Sequence, residues 1–283
     1  MRIEKNAPLD RRSSFRSGGK ADILLLPQNV YELTLALRGM EDKRVYGLLS
    51  NTLVSDNGVR GKIALTVNVR GMERTGNVIT ACCGDTLSGL ANFALENSLA
   101  GAEFCYGIPG TVGGGVFMNA GAYGGEIKDI LKSAVLFSPS GEIVTLENKD
   151  LGFAYRKSLL QRERYILLKA TFELEPGKKT AIRAKMKDLM ARRREKQPLE
   201  FPSCGSVFKR PEGHFAGALI EQCGLKGARV GGAEVSQKHA GFIINAGGAT
   251  TADMLALTAL VKRTVKEKTG VELEEEIRIL GET

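Results

Sequence analysis

Apolar and polar positions change period along the chain, and each change marks an element. The run Ile23-Leu24-Leu25-Leu26 reads as a strand, and Pro27 and Asn29 then open a helix carrying Val30, Leu33 and Leu37, closed by Gly39. Short strands are expected over 63–69 and 78–82. Asp85 or Thr86 can cap a following helix bearing Leu87, Leu90, Ala91, Ala94 and Leu95. Residues 134–137 and 142–146, joined by Pro139-Ser140-Gly141, have the form of a hairpin. Ile166, Leu168, Ala170, Phe172 and Leu174 alternate, which predicts a strand over 165–175. Ile182, Met186, Leu189 and Met190 share one face of a basic helix over 178–196 that ends before Pro198. Further helices are expected over 215–223, stopped by Gly224, and from Thr251 to Gly270 through Met254, Leu257, Val261 and Val265. A final strand over 271–280 would set Val271, Leu273, Ile277 and Ile279 on one face, opposite Glu272, Glu274, Glu276 and Arg278.

Helices and strands interleave irregularly, so the class is α+β. No Gly-x-Gly-x-x-Gly stands between a strand and a helix, which disfavours a doubly wound dinucleotide fold. Gly61-Lys62 is followed by Ile63 and is no phosphate-binding loop of the Walker type. At 283 residues the chain exceeds one ordinary hydrophobic core, and 43% hydrophobic with 25% charged residues suits a globular protein. The opening Met1-Arg2-Ile3-Glu4-Lys5-Asn6 lacks the apolar core of a secretory signal, and the apolar run 254–261 is broken by Thr258; a cytoplasmic protein without membrane insertion is expected. Five cysteines without a Cys-x-x-Cys pair, and two histidines, argue for free thiols and no metal site.

The net charge of +8 leaves three partner classes open: nucleic acid, a membrane surface, or small ligands rich in phosphate and carboxylate. The basic stretch around Arg192-Arg193-Arg194 reads as the solvated face of an amphipathic helix, with no zinc-finger spacing or aromatic RNA-binding motif beside it. A nucleic-acid-binding protein would explain the charge and leave the segment 107–125 unexplained. That segment reads Gly107-Ile108-Pro109-Gly110-Thr111-Val112-Gly113-Gly114-Gly115-Val116-Phe117-Met118-Asn119-Ala120-Gly121-Ala122-Tyr123-Gly124-Gly125. Glycines at this density let backbone approach a ligand closely and offer N–H groups to a pyrophosphate, with Thr111 and Asn119 as further hydrogen-bonding groups.

The segment resembles the flavin-binding signature of the UDP-N-acetylenolpyruvoylglucosamine reductase family, and the resemblance runs nearly end to end. Asn6 to Asp22 is similar to the family's opening, and Ser50-Asn51-Thr52-Leu53-Val54-Ser55-Asp56 to its first flavin turn, with Leu49 in place of that turn's second glycine. Tyr155-Arg156-Lys157-Ser158 resembles the catalytic-arginine motif, and Gln197 to Pro211, containing Cys204-Gly205-Ser206-Val207, the catalytic-serine motif. Segments 236–245 and 273–278 complete the set. The short interval between Arg156 and Ser206 is similar to the second type of the family, which lacks a tyrosine-bearing loop.

The resemblance implies a two-subdomain FAD-binding module of the vanillyl-alcohol-oxidase/PCMH type plus a C-terminal α+β substrate domain. The implied boundaries are 1–65 and 66–180 for the two FAD subdomains and 181–270 for the substrate domain, with 271–283 returning to the first. It implies noncovalent FAD, held by Gly47, Ser50, Asn51, Gly107, Ile108, Pro109, Gly110, Thr111, Gly113, Gly114, Asn119, Ala120 and Gly121. NADPH is the implied co-substrate, and a UDP-sugar enolpyruvyl ether the substrate, reduced to UDP-N-acetylmuramate in peptidoglycan precursor synthesis. Arg156 would stabilise developing charge, Ser206 donate a proton and Glu276 polarise the enolpyruvyl group, with Tyr155, Gln197, Lys209 and Arg210 as substrate contacts. Another FAD oxidase or dehydrogenase would account for 107–125 and leave the serine and glutamate motifs without a role.

Overall fold

The computed structural model describes residues 1–282, and contacts within it divide the chain into two units, each assembled from separate stretches. The first comprises Met1–Ile3, Leu24–Leu48 and Lys62–Arg193. Its centre is an antiparallel sheet of five strands in the order Ile143–Glu147, Leu131–Phe137, Ile166–Glu173, Val78–Cys82, Met72–Thr75. Inward residues of that sheet, among them Ile79, Ala81, Leu136, Leu168 and Phe172, share one core with Leu87, Leu90 and Ala94 of the helix Leu87–Glu96 and with Ile182 and Met186 of Lys179–Lys196. Each such fully buried Leu or Phe contributes about 2 kcal/mol of transfer free energy. The helix starts are fixed locally: Asn29 accepts the Glu32 N–H at 2.9 Å ahead of Val30–Arg38, and Thr86 accepts the Gly89 N–H at 2.9 Å ahead of Leu87–Glu96.

The second unit comprises Glu4–Ile23, Leu49–Gly61 and the chain from Arg194 onward. Its antiparallel sheet runs Ser203–Ser206, Phe242–Asn245, Ala233–Val235, Arg229–Val230. Met254, Leu257, Val261 and Val265 of Thr251–Thr269 pack there with Leu219 and Ile220 of Ala216–Gln222 and with Phe15 and Leu53 from the early segments. Asp56 receives the N–H groups of Thr251 and Ala252, both at 2.9 Å, so a residue far away in sequence caps the long helix. Arg278–Leu280 pairs in parallel with Thr52–Val54.

Two elements differ from expectation. Only Arg278–Leu280 of the stretch 271–280 is strand. Leu273 and Ile277 are buried as the alternation requires, yet Ile279 is 43% exposed, because the segment's backbone partners change along its length. Second, residues Val112–Met118 of the glycine-rich segment form a helix despite three consecutive glycines. Helix propensity opposes this by roughly 1 kcal/mol per glycine, and packing overrides it: a Cβ at Gly115 would lie 2.8 Å from the Leu87 side chain, and one at Gly113 would lie 3.1 Å from the Cys83 carbonyl oxygen.

Candidate active site

The backbone of the glycine segment bonds to protein partners, many of them in 83–88, more than expected. The Val112 N–H donates to Asp85 O at 2.7 Å, Gly113 N–H to Cys83 O at 2.8 Å, Gly115 N–H to Thr111 O at 2.8 Å, and Gly114 N–H to Thr111 Oγ1 at 3.2 Å. Upstream, Gly107 N–H donates to Ser88 Oγ at 3.0 Å, Ile108 N–H to Cys105 O at 3.1 Å, and the Gly110 carbonyl accepts Leu87 N–H at 3.1 Å past exposed Pro109. These glycines therefore serve close packing. Gly47 is brought directly against Thr111, since a Cβ there would lie 2.3 Å from Thr111 Oγ1. A Cβ at Gly114 would meet nothing nearer than Thr111 Oγ1 at 3.7 Å, which leaves the backbone open at that point. The residues thus fit a flat, phosphate-bearing cofactor such as FAD lying against bare main chain. In the turn after Gly47, Leu49 adopts φ +52°, the left-handed conformation that a glycine would take, so the turn keeps its shape with a leucine in it.

Arg156 sits in the four-residue turn Ala154-Tyr155-Arg156-Lys157, closed by Ala154 N–H to Lys157 O at 3.1 Å and Lys157 N–H to Ala154 O at 3.0 Å. Its φ is +55°, at a turn position that usually takes glycine. The guanidinium donates weakly to Asn119 O at 3.5 Å and Gly121 O at 3.3 Å and lies 5.0 Å from the Tyr155 ring centroid. The arginine motif and the end of the glycine segment are therefore one constellation. Asn119 is fully buried at φ +43°: its amide donates to Glu126 Oε2 and Ala154 O, both at 3.1 Å, and its Oδ1 accepts Lys128 N–H at 3.0 Å. Its side chain faces protein partners, and Ala120 N–H beside it donates to Gly115 O at 2.8 Å.

In the second unit the serine and the last glutamate meet through backbone. Glu276 N–H donates to Val207 O and Lys209 N–H to Glu274 O, both at 2.8 Å, around a bridge pairing Phe208 with Glu275. A one-residue bulge between Ser203 and Ser206, with Gly205 at φ +76°, re-aims the Ser206 side chain. The half-buried Ser206 hydroxyl donates to Phe208 O at 3.1 Å. Asn51 joins this group, its amide donating to Glu276 O at 3.0 Å and its carbonyl accepting Arg278 N–H at 3.1 Å. Ser50, half-buried, precedes it. Of the remaining candidates, Lys209 pairs with Glu274, Arg210 lies 4.6 Å from the centroid of the Phe215 ring, and the Gln197 carbonyl accepts Leu199 N–H at 2.9 Å. His239 flanks Ser206 across Gly241, where a Cβ would lie 3.0 Å from the imidazole and 3.5 Å from Ser206 Oγ. Burial holds its pKa below the ordinary histidine value, and its Nδ1 accepts Gly241 N–H at 3.1 Å, so it is neutral with the proton on Nε2.

The sequence places Arg193 on a solvated basic face. It is instead 5% exposed, and a Cβ at Gly107 would lie 3.1 Å from its Nε. Its guanidinium stands 5.5 Å from the centroid of the Tyr123 ring. Its position one residue after Arg192 and four after Leu189 carried the signal, since Leu189 is on the buried face. Among the described residues no cluster of His, Cys, Asp and Glu could hold a metal ion, and no helix is long and apolar enough to cross a membrane.

A bare-glycine platform against a five-stranded antiparallel sheet, joined to a buttressed arginine, defines a flavin-dependent oxidoreductase with a separate α+β substrate region. Family models agree: residues 21–147 match an FAD binding domain, and residues 197–280 match the UDP-N-acetylenolpyruvoylglucosamine reductase C-terminal domain. The reductase of that name from Listeria innocua is 48% identical over 99% of this chain and 95% of its own length, and that from Geobacillus thermodenitrificans 48% over 99% and 93%. The crystal structure of the Thermus caldophilus reductase superimposes with a TM-score of 0.86 at 34% identity, covering 99% of both chains. The chain belongs to the UDP-N-acetylenolpyruvoylglucosamine reductase family.

Proposed function

We propose that the protein uses NADPH to reduce UDP-N-acetylglucosamine enolpyruvate to UDP-N-acetylmuramate in the cytoplasm, as a step in peptidoglycan precursor synthesis. Bound noncovalently, FAD would supply a two-electron carrier between the nicotinamide and the enolpyruvyl double bond. Gly47, Ser50, Asn51 and the segment 107–121 are the residues we assign to it. Burial raises the thiol pKa of Cys82, and that of Cys83 to about 12, which disfavours a thioether to the cofactor.

The chain's own residues account for the rest of the chemistry. Hydride addition to one carbon of the enolpyruvyl group leaves negative charge on its neighbour and on the attached carboxylate. Arg156 presents a planar, positively charged fork to that carboxylate. Glu276 polarises the enolpyruvyl group, and Ser206 gives the proton that ends the reaction. A serine is a weak acid, and the strongly basic intermediate makes the transfer feasible. The observation that carries this reading is the pair of 2.8 Å backbone bonds, Glu276 to Val207 and Lys209 to Glu274, which fixes the serine and the glutamate to one another.

The test separates the two half-reactions. Ser206→Ala should bleach with NADPH at nearly the wild-type rate. It should then regain flavin colour on anaerobic addition of the enolpyruvyl substrate roughly 100- to 10,000-fold more slowly, the usual range for loss of a general acid. Equal slowing of both steps, or of neither, would make Ser206 a turn residue only.

A further inference from the structure

We propose that Gln161 is a positioning residue for Arg156, holding the arginine's turn in its left-handed conformation so that the guanidinium meets the substrate carboxylate. The inference rests on the role assigned to Arg156 above. A non-glycine residue at φ +55° is strained and persists only where its surroundings over-determine it.

The surroundings here do so through two side chains that no sequence motif singled out for this purpose. The Gln161 amide, from the short helix Leu159–Glu163, donates to Arg156 O at 3.0 Å and to Phe117 O at 2.6 Å. One amide group thereby ties the arginine's own carbonyl to the end of the helix Val112–Met118. Asn119, one residue past that helix, ties the other end of the turn through its 3.1 Å bond to Ala154 O. Ser158 reinforces the anchor, its hydroxyl donating to Phe117 O at 2.7 Å.

The guanidinium projects from this turn and donates to Gly121 O at 3.3 Å and Asn119 O at 3.5 Å. Where that fork starts from is set by the turn's backbone, whose Arg156 carbonyl Gln161 holds. Release of the Arg156 carbonyl would let φ relax toward negative values and redirect the side chain. A displacement near 1 Å at a reacting group is enough to lower a rate by about 100-fold.

A double-mutant cycle on the holoenzyme tests this. Gln161→Met keeps length and volume and removes the bonds donated to Arg156 O and Phe117 O. Alone, it should leave NADPH bleaching within about 2-fold of wild type and slow anaerobic flavin reoxidation by enolpyruvyl substrate by roughly 10- to 100-fold. In an Arg156→Ala background it should change reoxidation by less than about 2-fold, because a residue acting only through Arg156 has nothing left to position.

Multiplicative loss in the double variant, equal loss in both half-reactions, or no loss at all overturns the proposal. If Arg156→Ala itself reoxidises at the wild-type rate, the role of Arg156 fails first; if it is slow while Gln161→Met is fast, only the positioning role fails. Should Gln161→Met not retain flavin, Gln161→Glu, which keeps the shape and still lacks the donor, takes its place in the cycle. Loss of flavin from both variants would assign Gln161 to folding and overturn the proposal.

Discussion

At Leu49 the usual ranking of alanine and glycine should invert. The residue is 3% exposed, with φ +52°. Leu49→Ala removes a buried side chain, which costs about 3 kcal/mol, within the usual range of 2–5 for such truncations. It keeps the left-handed strain, since alanine also carries a Cβ. Leu49→Gly loses the same side chain and relieves that strain, worth about 1–2 kcal/mol. Set against this is the extra freedom of glycine in the unfolded chain, about 0.5–1 kcal/mol. The net expectation is that Leu49→Gly is less stable than wild type and more stable than Leu49→Ala, by about 0.5–1 kcal/mol. Urea unfolding followed by far-ultraviolet circular dichroism can read this. At a slope of about 2–3 kcal/mol per molar, the two midpoints should differ by roughly 0.2–0.5 M. An alanine variant as stable as the glycine variant would refute the left-handed turn and with it the account of how this chain keeps the shape of a glycine turn.

Arg156→Lys should lower turnover by about 100-fold or more, since lysine keeps the charge and loses the planar fork; wild-type-like turnover would remove Arg156 from the site. Because burial holds the His239 pKa below the ordinary value, the folded state binds fewer protons than the unfolded one once the pH drops past about 6.5, so stability should decline from there down to the folded-state pKa and then level off. His239→Gln should flatten that decline in unfolding curves at pH 7 and pH 5, and an unchanged decline would place its cause elsewhere. Burial pushes the thiols of Cys83 and Cys204 up to about 12, so iodoacetamide at pH 8 should modify half-exposed Cys82 first and reach those two only in urea. Mass mapping of early labelled peptides checks the order, and prompt labelling of Cys204 would contradict it.

What could be read from the sequence was what is decided locally. Asn29, Thr86, Gly39 and Gly270 bound their helices where capping chemistry puts them, and the strand Val78–Cys82 lies where its composition placed it. The reactive roles proposed for Ser206 and Glu276 rest on resemblance: a serine before a valine, or a glutamate among charged neighbours, announces nothing alone. What escaped was decided by distant partners. The helix Val112–Met118 exists because Leu87 and Cys83 leave space for backbone only. The irregular course of 271–277 follows from Glu274 and Glu276 bonding to the serine segment before Arg278 reaches Thr52. Gln161 acts on the carbonyls of Arg156 and Phe117 and Asn119 on that of Ala154, and nothing in their spacing reveals which.

The parallel pairing of Arg278 with Thr52 also sets a timetable for synthesis. A ribosome adding about 5–20 residues per second needs roughly 10–45 s to travel between those positions. During that interval Lys62–Arg193, continuous in sequence and rich in antiparallel neighbours, can condense around its own sheet. Leu53, fully buried in the finished protein, has to wait in the nascent chain for the core it will join. The second unit is therefore the late and vulnerable product of translation, the one whose apolar segments a chaperone would meet.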